Sequence, residues 1–289
     1  MRSVKRILYA EEVDMGGIVL RQPFPTANVE QLDPFLLLHH HSTQIPAGSS
    51  PRDLGVGPHP HRGFSPVTFI FEGSIHHRDS RQNSSVIDKG GVQWMDAGMG
   101  IIHSERPSKT TAENGGAQEI IQVWINTPKA HKMDQPDYQP LQGDELPEFK
   151  PSQGEGVFKV VCGQTAGLQG PVRAKLNALI IMGHLEAGAF HTLEAPSEMN
   201  CALYLLDGQL RVEGYGLVDG LNLIHFANDH DEITIEAREN TRILLLAGEP
   251  INEPVTHYGP YVMNTQTEVM EAMRDYQMGK MGILIEEFD

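Results

Sequence analysis

His59-Pro60-His61 and His103-Ser104-Glu105 each place two metal-capable side chains at i, i+2. In an extended chain, side chains two apart share a face about 6.5–7 Å from one another along the backbone, close enough to converge on one ion. On neighbouring strands the pairs would offer three imidazoles, one carboxylate and no thiolate. That donor set suits a borderline first-row metal better than calcium or magnesium. Four protein ligands leave room in a six-coordinate shell for a substrate oxygen or dioxygen, which makes such a site chemical rather than structural. The donor types leave iron, manganese, nickel, copper and zinc all open.

The chain between the pairs supplies what would bring them together. A strand ends at Phe71, Glu72-Gly73 turns, a polar stretch runs over 76–85, and a Gly-rich segment over 90–98 precedes Ile101-Ile102-His103. This is the pattern of a β-meander. Short β-type runs recur to about residue 250, with candidate strands at 17–20, 67–71, 92–95, 118–125, 158–162, 177–185, 201–206 and 242–247. Few segments carry a 3.6-residue apolar period, so the expected class is all-β with sandwich or barrel turn spacing.

Pro128, Pro136, Pro140, Pro147 and Pro151 interrupt the pattern. The resulting division is an N-terminal domain over 1–130 carrying the metal site, a linker over 131–155, a second domain over 156–255, and a tail over 256–289. The run Phe69-Ile70-Phe71-Glu72-Gly73-Ser74-Ile75 is echoed by Tyr204-Leu205-Leu206-Asp207-Gly208-Gln209-Leu210. The offset is 135 residues (204 − 69), which suggests duplication. It sets Glu194 and Pro196 opposite His59 and His61, and Arg238 and Asn240 opposite His103 and Glu105, so no ligand set is expected in the second half. In the tail, Thr265 and Glu268 have capping-box spacing. Val269, Met270, Met273 and Tyr276 follow as the apolar face of a helix ending near Gly279.

Composition narrows the function classes. With 22 basic and 38 acidic residues the net charge is −16, which disfavours direct binding to nucleic acid or anionic lipid. No apolar run is long enough to span a membrane, and the N-terminus lacks a secretory h-region, so a cytoplasmic location is expected. Cys162 and Cys201 have no metal-type spacing and are expected to pack. Single residues divide similarly: His39-His40-His41 is expected in a solvated loop, His76-His77 at an exposed strand end, Arg62 in a structural ion pair, and Trp94 in the core. No P-loop, dinucleotide fingerprint or GxSxG elbow occurs.

The segments Pro58-His59-Pro60-His61-Arg62-Gly63-Phe64, Gly91-Val92-Gln93-Trp94-Met95 and Ala97 through Glu105 resemble the pirin family of the cupin superfamily. The segments Leu32-Asp33-Pro34-Phe35 and His257-Tyr258-Gly259-Pro260-Tyr261-Val262-Met263-Asn264-Thr265 are similar to it as well. The resemblance implies a bicupin of two tandem jelly-roll barrels with a short C-terminal helix. It also implies a single metal, commonly Fe(II), held by His59, His61, His103 and Glu105. Some members act as dioxygenases on flavonol-type aromatics such as quercetin, opening the ring with loss of carbon monoxide, so the implied partners are a small aromatic substrate and dioxygen, with Glu105 the catalytic proton acceptor. Others are described as transcriptional cofactors, which implies the alternative of a redox-sensitive, metal-bound interaction protein. The chain departs from the family in having Ser65-Pro66 where Glu-Thr is usual, and His39-His40-His41 where an acidic residue is usual.

Overall fold

Alternating apolar and polar residues, broken by Gly and Pro, give a chain whose regular structure is mostly strand; a computed structural model describes residues 1–288. The N-terminal stretch forms β1 (Val4–Tyr9), β2 (Glu11–Met15) and β3 (Ile18–Phe24). Next come β4 (Phe35–Ile45), β5 (Val56–His61), β6 (Phe64–Glu72), β7 (Ser74–Asp79), β8 (Ser84–Asp88), β9 (Val92–Asp96) and β10 (Ile101–Pro107). A short helix, α1 (Lys109–Asn114), leads to β11 (Gly116–Asn126) and β12 (Asp137–Leu141). The second half holds β13 (Glu148–Phe149), β14 (Gly156–Cys162), β15 (Gln164–Thr165), β16 (Leu168–Gln169), β17 (Ala178–Leu185), β18 (Phe190–Glu194) and β19 (Asn200–Leu205). It continues with β20 (Gln209–Val212), β21 (Gly216–Asp219), β22 (Asn222–Phe226), β23 (Glu232–Ala237) and β24 (Thr241–Gly248). The tail forms β25 (Thr256–Tyr258), β26 (Tyr261–Met263) and α2 (Gln266–Gln277). Every candidate strand falls on one of these.

The chain divides into two units, each discontinuous in sequence. One, the site unit, comprises Leu38–Asp144 with the segment from Ile251 onward; the companion unit comprises Met1–Leu37 with Glu145–Pro250. In the site unit the larger sheet runs β12-β9-β6-β11-β4 and a four-stranded sheet runs β5-β10-β7-β8. In the companion unit the orders are β1-β22-β19-β24-β17-β14-β13 and β18-β23-β20-β21. Two sheets with antiparallel strands in the same order, twice over, are the duplicated cupin jelly roll. Its repeat is clearest at the turns Glu72-Gly73 and Asp207-Gly208. Both glycines hold positive φ, 76° and 73°, a conformation that disfavours a Cβ.

Several local expectations change on the fold. The Pro-rich stretch contributes β12, which tolerates Pro140 because it lies at a sheet edge, paired only with β9. His39-His40-His41 lies on β4 rather than in a loop, and His40 is buried with its Nε2 at 3.0 Å from Glu119 Oε1. Alternation on a strand, which a run of three identical residues conceals, turns His40 to one face and its neighbours to the other. In α2 the Thr265–Glu268 capping box forms, but the inward stripe is Val269, Ala272 and Met273. Met270 stays 63% exposed, because residues one apart on a helix diverge by about 100°. Trp94 is fully buried, Arg62 pairs with Asp275 at 3.1 Å, and Cys162 and Cys201 are buried and form no disulfide. Among the described residues no helix is long and apolar enough to cross a membrane.

Candidate metal centre

β5 and β10 are antiparallel neighbours in which His59 stands directly opposite His103 and His61 opposite Ile101. The register shifts between His103 and Glu105, a bulge that re-aims the end of β10. β10 also pairs with β7, which sets Asp79 opposite His103 and His77 opposite Glu105. After His61 the chain turns at Gly63, whose φ is 85° and where a Cβ would run into the Val262 carbonyl. The buried Lys132 Nζ donates to Gly63 O at 2.6 Å, to Asn126 Oδ1 at 2.6 Å and to Val262 O at 3.1 Å, fixing that turn. Burial pushes this lysine down to about 8, with Glu253 and Glu268 acting in the opposite sense.

The imidazoles of His59, His61 and His103 come together, each offering one nitrogen within 4.8 Å of the others. Their outer nitrogens have acceptors: His59 Nδ1 donates to Gly57 O at 2.8 Å and His61 Nδ1 to Pro260 O at 3.4 Å. With the protons assigned there, the Nε2 atoms carry lone pairs inward. His59 Nε2 and His103 Nε2 stand 3.0 Å apart, and His61 Nε2 is buried with no hydrogen-bond partner. Facing lone pairs and an orphaned buried acceptor are unfavourable on their own, and a cation between them removes both penalties. Two nitrogens about 2.1 Å from one ion and near a right angle apart would themselves be separated by about 3.0 Å. Burial, and then the charge of His59, hold His61 and His103 well below the usual imidazole range, which keeps their lone pairs free.

Glu105 lies on the same strand but outside this three-nitrogen group. Thr68 Oγ1 donates to its Oε1 at 2.6 Å and Gln122 Nε2 to its Oε2 at 2.7 Å, so each oxygen accepts one bond and keeps a lone pair. Trp124 Nε1 donates to Gln122 Oε1 at 3.1 Å, which fixes the amide so that its NH2 faces the carboxylate. The rings of Phe64 and Trp124 pack at 4.3 Å and 35°, and Trp124 meets His61 edge-on at 5.5 Å. An apolar aromatic wall thus lies beside the imidazoles.

The expectation for His77 changes on the structure. It is buried rather than at an exposed strand end: its ring stacks on Tyr138 at 3.9 Å and 10°, and its Nε2 lies 3.1 Å from Asp79 Oδ2. The signal that could have found it is the one used for the candidate ligands, a further i, i+2 pair, His77-Arg78-Asp79, directly after the Glu72-Gly73 turn. Thr68, Gln122 and Tyr138 carry no such signal, since their types are ordinary in strands.

The Pirin family model matches residues 17–125, and the Pirin C-terminal cupin domain model matches residues 180–282. Pirin-like protein 2 of Arabidopsis thaliana is 35% identical over 290 residues, covering 96% of this chain and 85% of that protein. A pirin-like protein of Caulobacter vibrioides is 35% identical over 283 residues, covering 97% and 99%. The crystal structure of quercetin 2,3-dioxygenase from Acinetobacter baumannii superposes with a TM-score of 0.92 at 32% identity, covering 99% of this chain and 100% of that one.

Proposed function

The chain belongs to the pirin family, and from that premise we propose that it is a mononuclear-metal dioxygenase acting on a planar, oxygenated aromatic of the flavonol type. The observation that carries this reading is the set of inward nitrogens, with His61 Nε2 buried and unpartnered. In this reading His59, His61 and His103 hold the metal through Nε2, and Glu105 completes the protein ligands with a lone pair that Thr68 and Gln122 leave free. Fe(II) is the proposed metal. When bound it supplies Lewis acidity and a redox centre, lowering the pKa of an enol or phenol beside it.

The chain's own residues do the rest. Glu105 takes the substrate hydroxyl proton, and the Thr68 and Gln122 donors keep its carboxylate aimed while it does so. Trp124, half-buried and backed by the fully buried Phe64, offers an apolar ring face of the kind a planar ring packs against. The name of the Acinetobacter baumannii relative supports the substrate class. The test is oxygen uptake with quercetin by metal-replete protein, alongside metal analysis. Glu105→Gln is expected to abolish uptake while the fold is retained; unchanged uptake removes Glu105 from the reaction. No uptake by fully loaded wild-type protein with any flavonol overturns the dioxygenase reading.

A further inference from the structure

Behind the three imidazoles a second row of buried polar groups leads away from His103. Its Nδ1 lies 3.5 Å from His77 Nδ1, and His77 Nε2 lies 3.1 Å from Asp79 Oδ2. All three side chains are buried. Only one arrangement of protons satisfies the row with neutral rings. His103, whose Nε2 lone pair points inward, carries its proton on Nδ1 and donates to His77 Nδ1; His77 carries its own on Nε2 and donates to Asp79. The far end is fixed as an acceptor. Asp79 Oδ1 accepts the backbone N–H groups of Arg81 and Asn83 at 2.8 and 3.1 Å, and Oδ2 accepts Asn83 Nδ2 at 2.8 Å. The ring between is held flat on Tyr138, whose hydroxyl lies 2.7 Å from Ser85 Oγ.

We infer that Asp79 and His77 form a positioning relay that sets the tautomer and donor strength of His103 toward a metal. This rests on the reading that His59, His61 and His103 hold one. A metal-bound imidazole whose other nitrogen donates toward a carboxylate is a better ligand and is locked in orientation, and losing such a partner lowers metal affinity about 10–100-fold. Here the carboxylate acts through an intervening imidazole. His59 and His61 have only carbonyl acceptors at their outer nitrogens, so the relay makes His103 the electronically distinct member of the three.

The experiment loads full-length protein with cobalt(II) alone and compares wild type with Asp79→Asn, His77→Phe, His77→Gln and His59→Ala. The readouts are affinity by chelator competition and the visible ligand-field spectrum. Asp79→Asn keeps an oxygen for the Arg81 and Asn83 N–H groups but presents an amide donor to His77, which reverses its tautomer and sets N–H against N–H at His103. His77→Phe keeps the ring on Tyr138 without nitrogens. His77→Gln keeps an acceptor on one side and a donor on the other. The relay predicts affinity reduced about 10–100-fold with a shifted spectrum in Asp79→Asn and His77→Phe, and both largely restored in His77→Gln. Equal affinity and an unchanged spectrum throughout overturn it, as does lowered affinity with an unmoved spectrum, which would mark a packing role. If His59→Ala holds cobalt as wild type does, or wild type takes up none, the metal reading itself fails and the relay falls with it.

Discussion

The two units run their strands in the same order yet line the inner faces of their four-stranded sheets with opposite chemistry. Pairing the four-stranded sheets by register sets Leu193 and Ala195 of the companion unit where His59 and His61 stand, and Ile233 and Ile235 where His103 and Glu105 stand. All four companion residues belong to one buried cluster that also takes in Leu203, Ile224 and Ile243. The site unit buries His61, His77, Asp79, His103 and Glu105 at the corresponding depth. Buried polar groups cost stability unless partnered. His77, Asp79 and Glu105 have partners on the chain, whereas His61 Nε2 has none, and under the proposed function a bound metal supplies it.

The largest expected effect is at His61, whose counterpart is Ala195. His61→Ala gives the site unit the companion's residue and removes the orphaned nitrogen, and metal affinity measured by chelator competition should fall at least about 100-fold, beyond the effect of losing an outer partner. Unchanged affinity would erase the distinction between the units. The reverse exchange, Leu193→His, buries an imidazole among aliphatics with no acceptor. It should destabilise the protein by about 3 kcal/mol in urea unfolding without adding a metal; a second equivalent of bound metal would show the companion interior to be latent rather than filled.

A gentler probe is acid. Burial holds His39 and His225 down to about 4, and His61 and His103 well below the usual value. Their folded pKa values lie below the unfolded value near 6.5, so the unfolded chain binds protons first as pH falls. Stability of the metal-free protein is therefore full above about pH 6.5 and declines below it. The urea midpoint should drop between pH 7.5 and 5. If partial unfolding separates the units, the site unit, which holds His61 and His103, should move further; equal movement would weaken the contrast.

Much of this was legible in the sequence because period-2 patterning and turn chemistry are local. The strand at β6, the Glu72-Gly73 turn and the two i, i+2 pairs all follow from residues within a few positions of each other. Register is not local. The 135-residue offset holds at the Asp207-Gly208 turn, but the position equivalent to His59 is Leu193, at an offset of 134 (193 − 59), and that equivalent to His103 is Ile233, at 130 (233 − 103). A slip of one residue exchanges an inward side chain for an outward one, which is why the offset pointed to Glu194 instead of Leu193. Sequence alone assigns His77 to an exposed strand end for a related reason: whether it faces water or His103 depends on β10 lying beside β7, a pairing between residues far apart in the chain.

The most direct test is the anomalous scattering of crystals grown metal-replete. The account predicts one metal peak per chain, bonded to Nε2 of His59, His61 and His103 and to a Glu105 carboxylate oxygen, and absent from the companion unit. No peak at that position, or a peak held by other residues, would contradict it.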